Sequence, residues 1–292
     1  MFGLRKLARC FLFVPCSYLV ILLFFLLFFS QIIFAQSDSS EQHGIKFKVA
    51  INYCSGLNYF GRTDSLKSAG VFPQAEIWFS KNLYASATPV FVNNALQSME
   101  YEGTLMNLGY LHTTDKWITN LYLLKPFYKQ SSQLIQSALK AQTGVSISRL
   151  NPVLNFTLGG DIKLSDKIDF GTTAGIDHLI RKEFHNHSVL VIDPSFYAYA
   201  GTENFSSTYY KKRPGFLFLP GSTEEENESF MKFNILAYEF SVPVVYAKGN
   251  WMVLFTPSYI LPQNLLTVSG RPDLSEKGQN IFYATIGLKY SL

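Results

Sequence analysis

The fold is decided by the last stretch of the sequence, IFYATIGLKYSL at residues 281–292. Apolar and aromatic residues alternate there with polar or small ones. One set of alternate positions holds Phe282, Ala284, Ile286, Leu288, Tyr290 and Leu292, and the other holds Tyr283, Thr285, Gly287, Lys289 and Ser291. Because successive side chains of a β-strand point to opposite faces, this pattern predicts a strand with an apolar environment on one side and a polar one on the other.

The same alternation over residues 236–261 predicts a β-hairpin. The outward set is Leu236, Tyr238, Phe240, Val242, Val244 and Tyr246 on the first strand, and Trp251, Val253, Phe255, Pro257, Tyr259 and Leu261 on the second. A tight turn at Lys248-Gly249 is expected, because glycine readily adopts the positive φ that such turns need. This turn would pair Tyr246 with Trp251, and Tyr238 with Tyr259.

The four aromatic residues of this hairpin predict two girdles, formed by Tyr238, Tyr246, Trp251 and Tyr259. The distance along the strand from Tyr238 to Tyr246 is about 26 Å at ~3.3 Å per residue. A strand tilt of ~40° reduces this distance to about 20 Å of height, which is close to the ~25 Å apolar band of a transmembrane β-barrel. The spacing therefore favours strands that cross a membrane.

Two further hairpins place charged residues on the face opposite the apolar one. In the hairpin at 154–176, which turns at 165–167, Lys163 is expected across from Asp169; the hairpin at 71–91 turns at 80–82. The predicted polar interior consists of Glu76, Asp161, Lys163, Asp169, Asp177 and Glu239. These residues predict either a weakly cation-selective lumen or an internal salt-bridge network with Lys163. The network is favoured, because small barrels are often filled with side chains.

The connections between strands alternate in length. The short ones lie at 80–82, 113–115, 165–167 and 248–249, and the longer polar ones at 55–69, 129–149, 178–188, 212–229 and 263–279. This alternation is typical of a barrel with tight turns at one end and long loops at the other. A first strand is expected at 45–53 and a short helix within 134–140.

The number of strands must be even if both termini lie on the same side of a membrane. Eleven candidate strands are found, and Phe205–Lys211 is predicted as the twelfth. Ten strands are the alternative, if weak segments merge. Four prolines inside predicted strands, Pro73, Pro89, Pro243 and Pro257, argue against a regular ladder, because proline has no N–H to donate. In a barrel without free edges they require bulges or local irregularity.

Residues 1–36 have the features of a cleaved secretory signal peptide, which leaves 37–292 as one domain. Basic residues Arg5, Lys6 and Arg9 precede an apolar run over 11–34, and an uncleaved anchor is the alternative. The net charge of +4 comes from 25 basic and 21 acidic residues, and removal of the segment leaves 22 against 21, or +1. This balance offers no basic patch for nucleic acid. Cys54 would then have no internal disulfide partner.

The spacing of Thr285, Gly287, Tyr290 and Leu292 resembles the C-terminal assembly signal of Gram-negative outer-membrane β-barrel proteins. The last residue of that signal is more often Phe. The resemblance implies an all-β, transmembrane, antiparallel up-and-down β-barrel with short periplasmic turns and long external loops. It also implies that these four residues engage the barrel-assembly machinery, and that the outer surface contacts outer-membrane lipid. It carries no substrate, because a fold does not define a function.

Three functions remain open. The first is a narrow pore or transport-related barrel for a small solute, with Val245, Met252 and Leu254 facing inward. The second is a non-transporting barrel that presents aromatic loops to a surface partner, through Tyr209, Tyr210, Phe216 and Phe218. The third, less favoured, is a lipid- or peptide-acting enzyme using His185, His187 and Ser188, but nothing fixes a carboxylate beside them. We therefore predict no catalytic, cofactor or metal site, and we interpret the run Glu224–Glu228 as a solvated loop.

Overall fold

The structure is an all-β, closed antiparallel barrel of twelve strands, which confirms the predicted fold class and strand number. The computed structural model describes residues 44–63, 67–132, 134–202, 204, 232–265 and 278–292. The strands are β1 (Lys46–Cys54), β2 (Ala69–Trp78), β3 (Leu83–Asn93), β4 (Glu100–Thr113), β5 (Trp117–Tyr128), β6 (Ala141–Arg149), β7 (Asn155–Leu164), β8 (Ile168–Asp177 and Ile180–Glu183), β9 (Ser188–Ile192 and Ser195–Gly201), β10 (Asn234–Ser241 and Val244–Lys248), β11 (Trp251–Pro262) and β12 (Ile281–Ser291).

The last strand closes the barrel. β12 pairs with its predecessor β11, where Trp251 lies opposite Tyr290, and with the first strand β1, where Val49 lies opposite the same Tyr290. Every other strand pairs with its neighbours in sequence. The predicted signal peptide at 1–36 and the predicted strand at 205–211 lie outside the described residues. No helix in the described part of the chain is long and apolar enough to cross a membrane.

Alternate residues face out and in along each strand, as the sequence pattern predicts. On β12, Phe282, Ile286, Leu288 and Leu292 are exposed on the outer face, whereas Gly287 is buried between them. On β7 and β8, exposed Phe156, Leu158, Ile162, Leu164, Ile168 and Phe170 alternate with buried Asn155, Lys163 and Asp169. An exposed apolar band around a polar interior is the inverse of a water-soluble protein, and it fits a lipid environment.

The prolines lie where the strand pairing is irregular. β9 is interrupted at Asp193-Pro194 and β10 at Val242-Pro243, and these breaks are adjacent, because the Asp193 N–H donates to the Pro243 carbonyl at 2.9 Å. The Val242 N–H donates in turn to the Pro257 carbonyl at 3.1 Å. Between β2 and β3 the regular pairing is lost around Pro73 and Pro89, between the pairs Val71–Phe91 and Ala75–Ala87. The regular ladder is interrupted at these positions because proline has no N–H to donate to the neighbouring strand.

One strand that the sequence analysis assigned to a loop is present. Residues Ala141–Arg149 form β6, so the prediction of a loop over 129–149 is wrong for its second half. The strand was missed because Val145 and Ile147 are the only large apolar residues on its outer face. The loop 129–140 that remains contains the short helix expected there, as a 3-10 helix at Ile135–Ala138.

The extra strand changes which end of the barrel several connections occupy. We call the end with connections 79–82, 114–116, 150–154, 184–187 and 249–250 the turn end, and the opposite end, with 55–68, 94–99, 129–140, 165–167, 202–233 and 263–280, the loop end. The short turn 165–167 was predicted at the turn end, yet it lies at the loop end. Residues 178–188 were predicted as a long loop, but Ile180–Glu183 belong to β8 and Ser188 begins β9, so the connection is only 184–187.

The hairpin at 236–261 has the predicted faces but a different register. Lys248 pairs with Trp251, Tyr246 with Val253 and Phe240 with Tyr259, so the register is shifted by two residues. An even shift keeps every side chain on its predicted face. The turn is Gly249-Asn250, with Gly249 at a φ of 56°.

A β-bulge between β9 and β10 overturns one outward assignment. The register shifts between Tyr199 and Ala200, whose partners are Ala237 and Ile235. Leu236, which lies between those two partners, is only 2% exposed, while Ile235 is 42% exposed on the outer face. Leu236 therefore does not face lipid, because a bulge inserts an extra residue and breaks the alternation.

Candidate functional site in the barrel interior

A small hairpin from the loop end folds into the barrel. Its two-residue strands, Asn58–Tyr59 and Arg62–Thr63, are joined by Phe60 and Gly61, both at positive φ. The Phe60 ring lies 5.0 Å from the ring of Tyr199 on β9, centroid to centroid. Gly61 passes so close to Pro262 that a Cβ atom would lie 2.8 Å from a proline carbon, which explains the glycine. We call residues 58–63 the inner hairpin.

Arg62 attaches the inner hairpin to the barrel wall. Its side chain is 1% exposed, and its guanidinium donates to the carbonyls of Leu236 and Gln263, each at 3.2 Å. Leu236 belongs to β10 and Gln263 directly follows β11, whereas the hairpin follows β1. The hairpin therefore spans part of the interior and narrows it at the loop end.

The loop 129–140 also folds inward. Leu134 is buried together with Val90 and Val92 of β3, and Leu57, Phe72, Leu105 and Tyr128 pack against them. The Gln136 side-chain amide donates to the Asn58 carbonyl at 3.3 Å and so connects this loop to the inner hairpin. Part of the loop end is therefore filled by an apolar cluster, because β3 presents valines rather than polar residues to the interior.

At the turn end, Glu76 of β2 is the centre of an ion-pair cluster. Its carboxylate lies 3.6 Å from the Lys48 ammonium of β1 and 3.2 Å from the Lys289 ammonium of β12. The Trp78 indole N–H donates to the same carboxylate at 2.5 Å, and the Lys48 ammonium lies 4.2 Å from the centroid of the Trp78 ring. The cluster crosses the seam between β12 and β1, where the barrel closes.

A second group of charges lies on β7 and β8. Lys163 lies directly opposite Asp169 in the strand register, as the sequence predicts, and forms an ion pair with Asp161 on its own strand. The Asp169 carboxylate is fully buried and accepts hydrogen bonds from the Thr202 hydroxyl at 2.7 Å and the Asn204 N–H at 2.6 Å. This group lies near the loop end, because the 165–167 turn lies there.

Asp177 ends the first segment of β8 and lies nearer the turn end than Asp169 does. It is buried, and the Asn155 side-chain amide of β7 donates to it at 2.6 Å. The cross-strand pair of Asn155 and Asp177 is directly opposite in the register. The predicted interior residues of β7 and β8 thus lie along the barrel axis rather than at one level.

Glu239 of β10 is surrounded by tyrosines instead of lysines. One carboxylate oxygen accepts a hydrogen bond from the Tyr283 hydroxyl of β12 at 2.7 Å, and the other accepts one from the Tyr199 hydroxyl of β9 at 3.1 Å. In the described part of the chain no ion pair involves Glu239. Beside it is a chamber of about 420 Å³, which the inner hairpin helps to line.

The residues of the His/Ser cluster form the turn that follows β8. His185 and His187 lie in the connection 184–187 at the turn end, and the Ser188 hydroxyl donates to the Asn186 side chain at 2.6 Å. Among the described residues, Ser188 is hydrogen-bonded to Asn186 and not to either histidine ring. Among the residues described, no group of three or more His, Cys, Asp or Glu is placed to bind a metal.

The aromatic and C-terminal residues singled out in the sequence have definite positions. Tyr246, Trp251 and Tyr259 are 39%, 53% and 40% exposed on the outer face, and Tyr238 is half-buried, with its ring 5.9 Å from that of Phe196. Of the C-terminal signal residues, Thr285 and Gly287 face inward. Tyr290 packs on Trp251, with ring centroids 4.7 Å apart, and Leu292 is exposed. The girdle and assembly roles of these residues stay predictions.

Sequence reasoning did not select the partners that complete these clusters. Lys48 and Lys289 lie on the polar faces of β1 and β12, but only closure of the barrel brings both of them to Glu76. Tyr199 and Tyr283 were likewise not selected, although Tyr283 lies on the polar face of the C-terminal strand. The sequence did contain a signal for these partners, namely tyrosines on the polar face of a strand. An inward tyrosine needs a hydrogen-bond partner for its hydroxyl, and an inward carboxylate can be that partner.

The closed circuit of strands, the apolar outer face and the charged interior define the chain as a transmembrane β-barrel. No protein-family model matches the sequence, and no curated protein matches it. Among solved structures, KdgM porin is 8% identical over 85% of this chain and 99% of that one, with a TM-score of 0.46. NanC porin is 13% identical over 84% and 100%, with a TM-score of 0.43. LpxR from Salmonella typhimurium is 9% identical over 83% and 99%, with a TM-score of 0.40.

Proposed function

We propose that this protein is a narrow channel for small hydrophilic solutes in the outer membrane of a Gram-negative bacterium. The signal-like segment at 1–36 would direct its export, and residues 37–292 would form the inserted barrel. The observation that carries the proposal is the charged inner face, which extends from the Glu76 cluster at the turn end to Asp169 near the loop end. A barrel that served only as a scaffold could have had an apolar core instead.

The size of the barrel supports the same function. Barrels of about 8 strands are filled by their own side chains, whereas barrels of about 16 strands leave an aqueous channel. Twelve strands lie between these limits. The inner hairpin reduces the passage further, since it reaches from β1 to the carbonyls at Leu236 and Gln263. We therefore expect a conductance well below that of a general porin.

The interior charges favour cations over anions. Among the described residues, the inward acidic side chains are Glu76, Glu102, Asp161, Asp169, Asp177 and Glu239 of the strands and Asp193 in the break of β9. They outnumber the inward basic side chains, which are Lys48, Lys163 and Lys289 of the strands and Arg62 of the inner hairpin. Excess negative charge in a low-dielectric passage raises the local concentration of cations. The salt-bridge network and the cation-selective lumen are thus compatible in one interior.

Single-channel recording in planar bilayers tests this proposal. The purified protein should give discrete openings, and a KCl gradient should give a reversal potential that shows a preference for K⁺ over Cl⁻. Replacement of residues 58–63 by a Gly-Ser linker should increase the conductance, because the inner hairpin no longer fills the interior. Leu96→Ser, at an exposed position of the same end, is the control and should conduct like the wild type. A folded, heat-modifiable protein without openings would contradict the proposal and would favour the non-transporting barrel.

A further inference from the structure

The chamber beside Glu239 is lined by aromatic side chains from separate parts of the barrel. Tyr59 and Phe60 of the inner hairpin form one side, and Phe72, Tyr199 and Tyr283 contribute from β2, β9 and β12. The volume of about 420 Å³ is in the range of small-ligand sites. The inner hairpin builds part of this wall, so the chamber exists only because the hairpin folds into the barrel.

Among the residues that the structure describes, Glu239 is the only charged one that lines this chamber. Its two oxygens accept hydroxyl hydrogen bonds from Tyr199 and Tyr283, and no cationic side chain of the described residues pairs with it. Two other interior carboxylates differ in this respect. Glu76 lies between two lysines, and Asp161 is paired with Lys163. Glu239 is half-buried, and a carboxylate partly shielded from water without a counter-charge is unfavourable, so an external cation would gain from binding beside it.

The nearby basic residues do not supply that counter-charge. Arg62 uses its guanidinium to donate to the carbonyls of Phe60, Leu236 and Gln263. Lys163 approaches Phe60 with its ammonium 5.9 Å from the ring centroid, but it is paired with Asp161. Neither side chain lines the chamber. The charges of Arg62 and Lys163 weaken the attraction of Glu239 for a cation, but neither side chain neutralises Glu239 by direct contact.

We propose that the Glu239 chamber is a binding site for small organic cations that carry a substituted ammonium group. The carboxylate would provide the charge and the aromatic rings would contact the ammonium substituents, since rings attract cations through their negative faces. A metal ion is a poorer fit, because the chamber offers one carboxylate and several rings rather than several oxygen ligands. The physiological role of the site rests on the proposed channel function: a cation that crosses the barrel would bind there transiently.

Cys54 gives a direct readout of occupancy. Its side chain lines the same chamber and is partly accessible. We would use the full-length chain with Cys10 and Cys16 replaced by serine, and measure the rate at which methyl methanethiosulfonate, a neutral reagent, modifies Cys54. Benzyltrimethylammonium is the probe, and benzyl alcohol is the uncharged comparison. The cation should slow modification at least fivefold at saturation, and benzyl alcohol should not.

Variants then identify the group that binds the cation. Glu239→Gln should weaken protection at least tenfold, whereas Glu100→Gln, an exposed acidic residue at the loop end, should leave it unchanged. If Glu239→Gln does not give a heat-modifiable barrel, Thr285→Lys, which places an ammonium in the chamber, should abolish protection instead. Equal protection by benzyl alcohol, or unchanged protection in a folded Glu239→Gln or Thr285→Lys variant, would overturn the site.

The two proposals can fail separately. Protection of Cys54 in a protein that gives no openings in bilayers would leave the binding site in place and refute the channel. Discrete openings without Cys54 protection would support the channel and refute the site. If both proposals hold, benzyltrimethylammonium should also reduce the single-channel current of the wild type, but not of Glu239→Gln.

Discussion

Removal of the Glu76 charge should destabilise the barrel more than removal of a similar charge at an exposed site. Glu76→Gln keeps the side-chain volume and an oxygen that can accept the Trp78 indole hydrogen bond, but it removes the partner of two lysines. Lys289 lies 3.2 Å from the carboxylate and Lys48 lies 3.6 Å from it. Without the carboxylate, two ammonium groups face each other across the β12–β1 seam with no compensating charge.

The magnitude follows from distance and burial. At an effective dielectric constant of about 20, a contact of this length corresponds to about 5 kcal/mol of gross attraction. The cost of desolvating the charged groups offsets much of this attraction. The side chains of Lys48 and Lys289 are also 25% and 29% exposed, so water can solvate their ammonium groups when the carboxylate is removed. Breaking a fully buried pair costs about 3–5 kcal/mol, so we expect about 2 kcal/mol here. The K⁺ preference of the channel should also decrease, because the interior loses a negative charge.

The matched control is Glu100→Gln. Glu100 lies 3.1 Å from the Lys129 ammonium, almost the same distance, but these side chains are 44% and 39% exposed. An exposed pair contributes about 0.5 kcal/mol. The free energy of unfolding should be measured by urea titration in phospholipid vesicles, with gel mobility as a second probe. Equal losses in the two variants, within about 0.5 kcal/mol, would refute the argument from burial.

Three further predictions test the faces, the packing and the inner hairpin. Leu158 is 67% exposed on the outer face, and Leu158→Lys should destabilise the inserted barrel by about 2–4 kcal/mol in the same urea titration. The control is Thr157→Lys at the adjacent inward position, which should be tolerated. Equal losses in the two variants would contradict the assignment of faces. Gly144→Ala should cost about 1–3 kcal/mol, because its Cβ would lie 2.7 Å from the Tyr122 ring, while Gly160→Ala, with its nearest atom at 3.6 Å, should be nearly neutral. Arg62→Met should release the inner hairpin from the Leu236 and Gln263 carbonyls. Bilayer recordings should then show a higher mean conductance with larger fluctuations. An unchanged conductance would show that other contacts hold the hairpin.

The faces of the strands could be predicted from the sequence because they depend only on local alternation. Every strong hairpin in the prediction has its apolar side outward in the structure, and the two-residue register shift at 236–261 did not disturb this, since it is even. Leu236 is the exception, and its cause is a bulge opposite Tyr199 and Ala200. A bulge is set by the neighbouring strand, so the alternation within 234–241 could not reveal it.

The end of the barrel at which each connection lies was harder to predict than the strand faces. One missed strand moves every connection that follows it to the opposite end. β6 has few large apolar residues, and omitting it placed the 165–167 turn at the wrong end of the barrel. The predicted strand at 205–211 restored the even number. The strand number is confirmed, yet the positions of Lys163 and Asp169 along the barrel axis were not predictable from it.

The interior contacts could not be predicted, because they depend on the closure of the whole barrel. Which inward side chains meet across the lumen depends on the stagger accumulated over all the strand pairs, so an error in any one register changes the result. Glu239 shows the consequence. Its partners Tyr199 and Tyr283 come from β9 and β12, and the chamber wall comes from a loop after β1. Sequence alternation identifies Glu239 as inward, but only the closed structure shows that its neighbours supply hydroxyl groups and rings instead of a cation. That difference separates a site able to bind an ammonium ion from one more internal salt bridge.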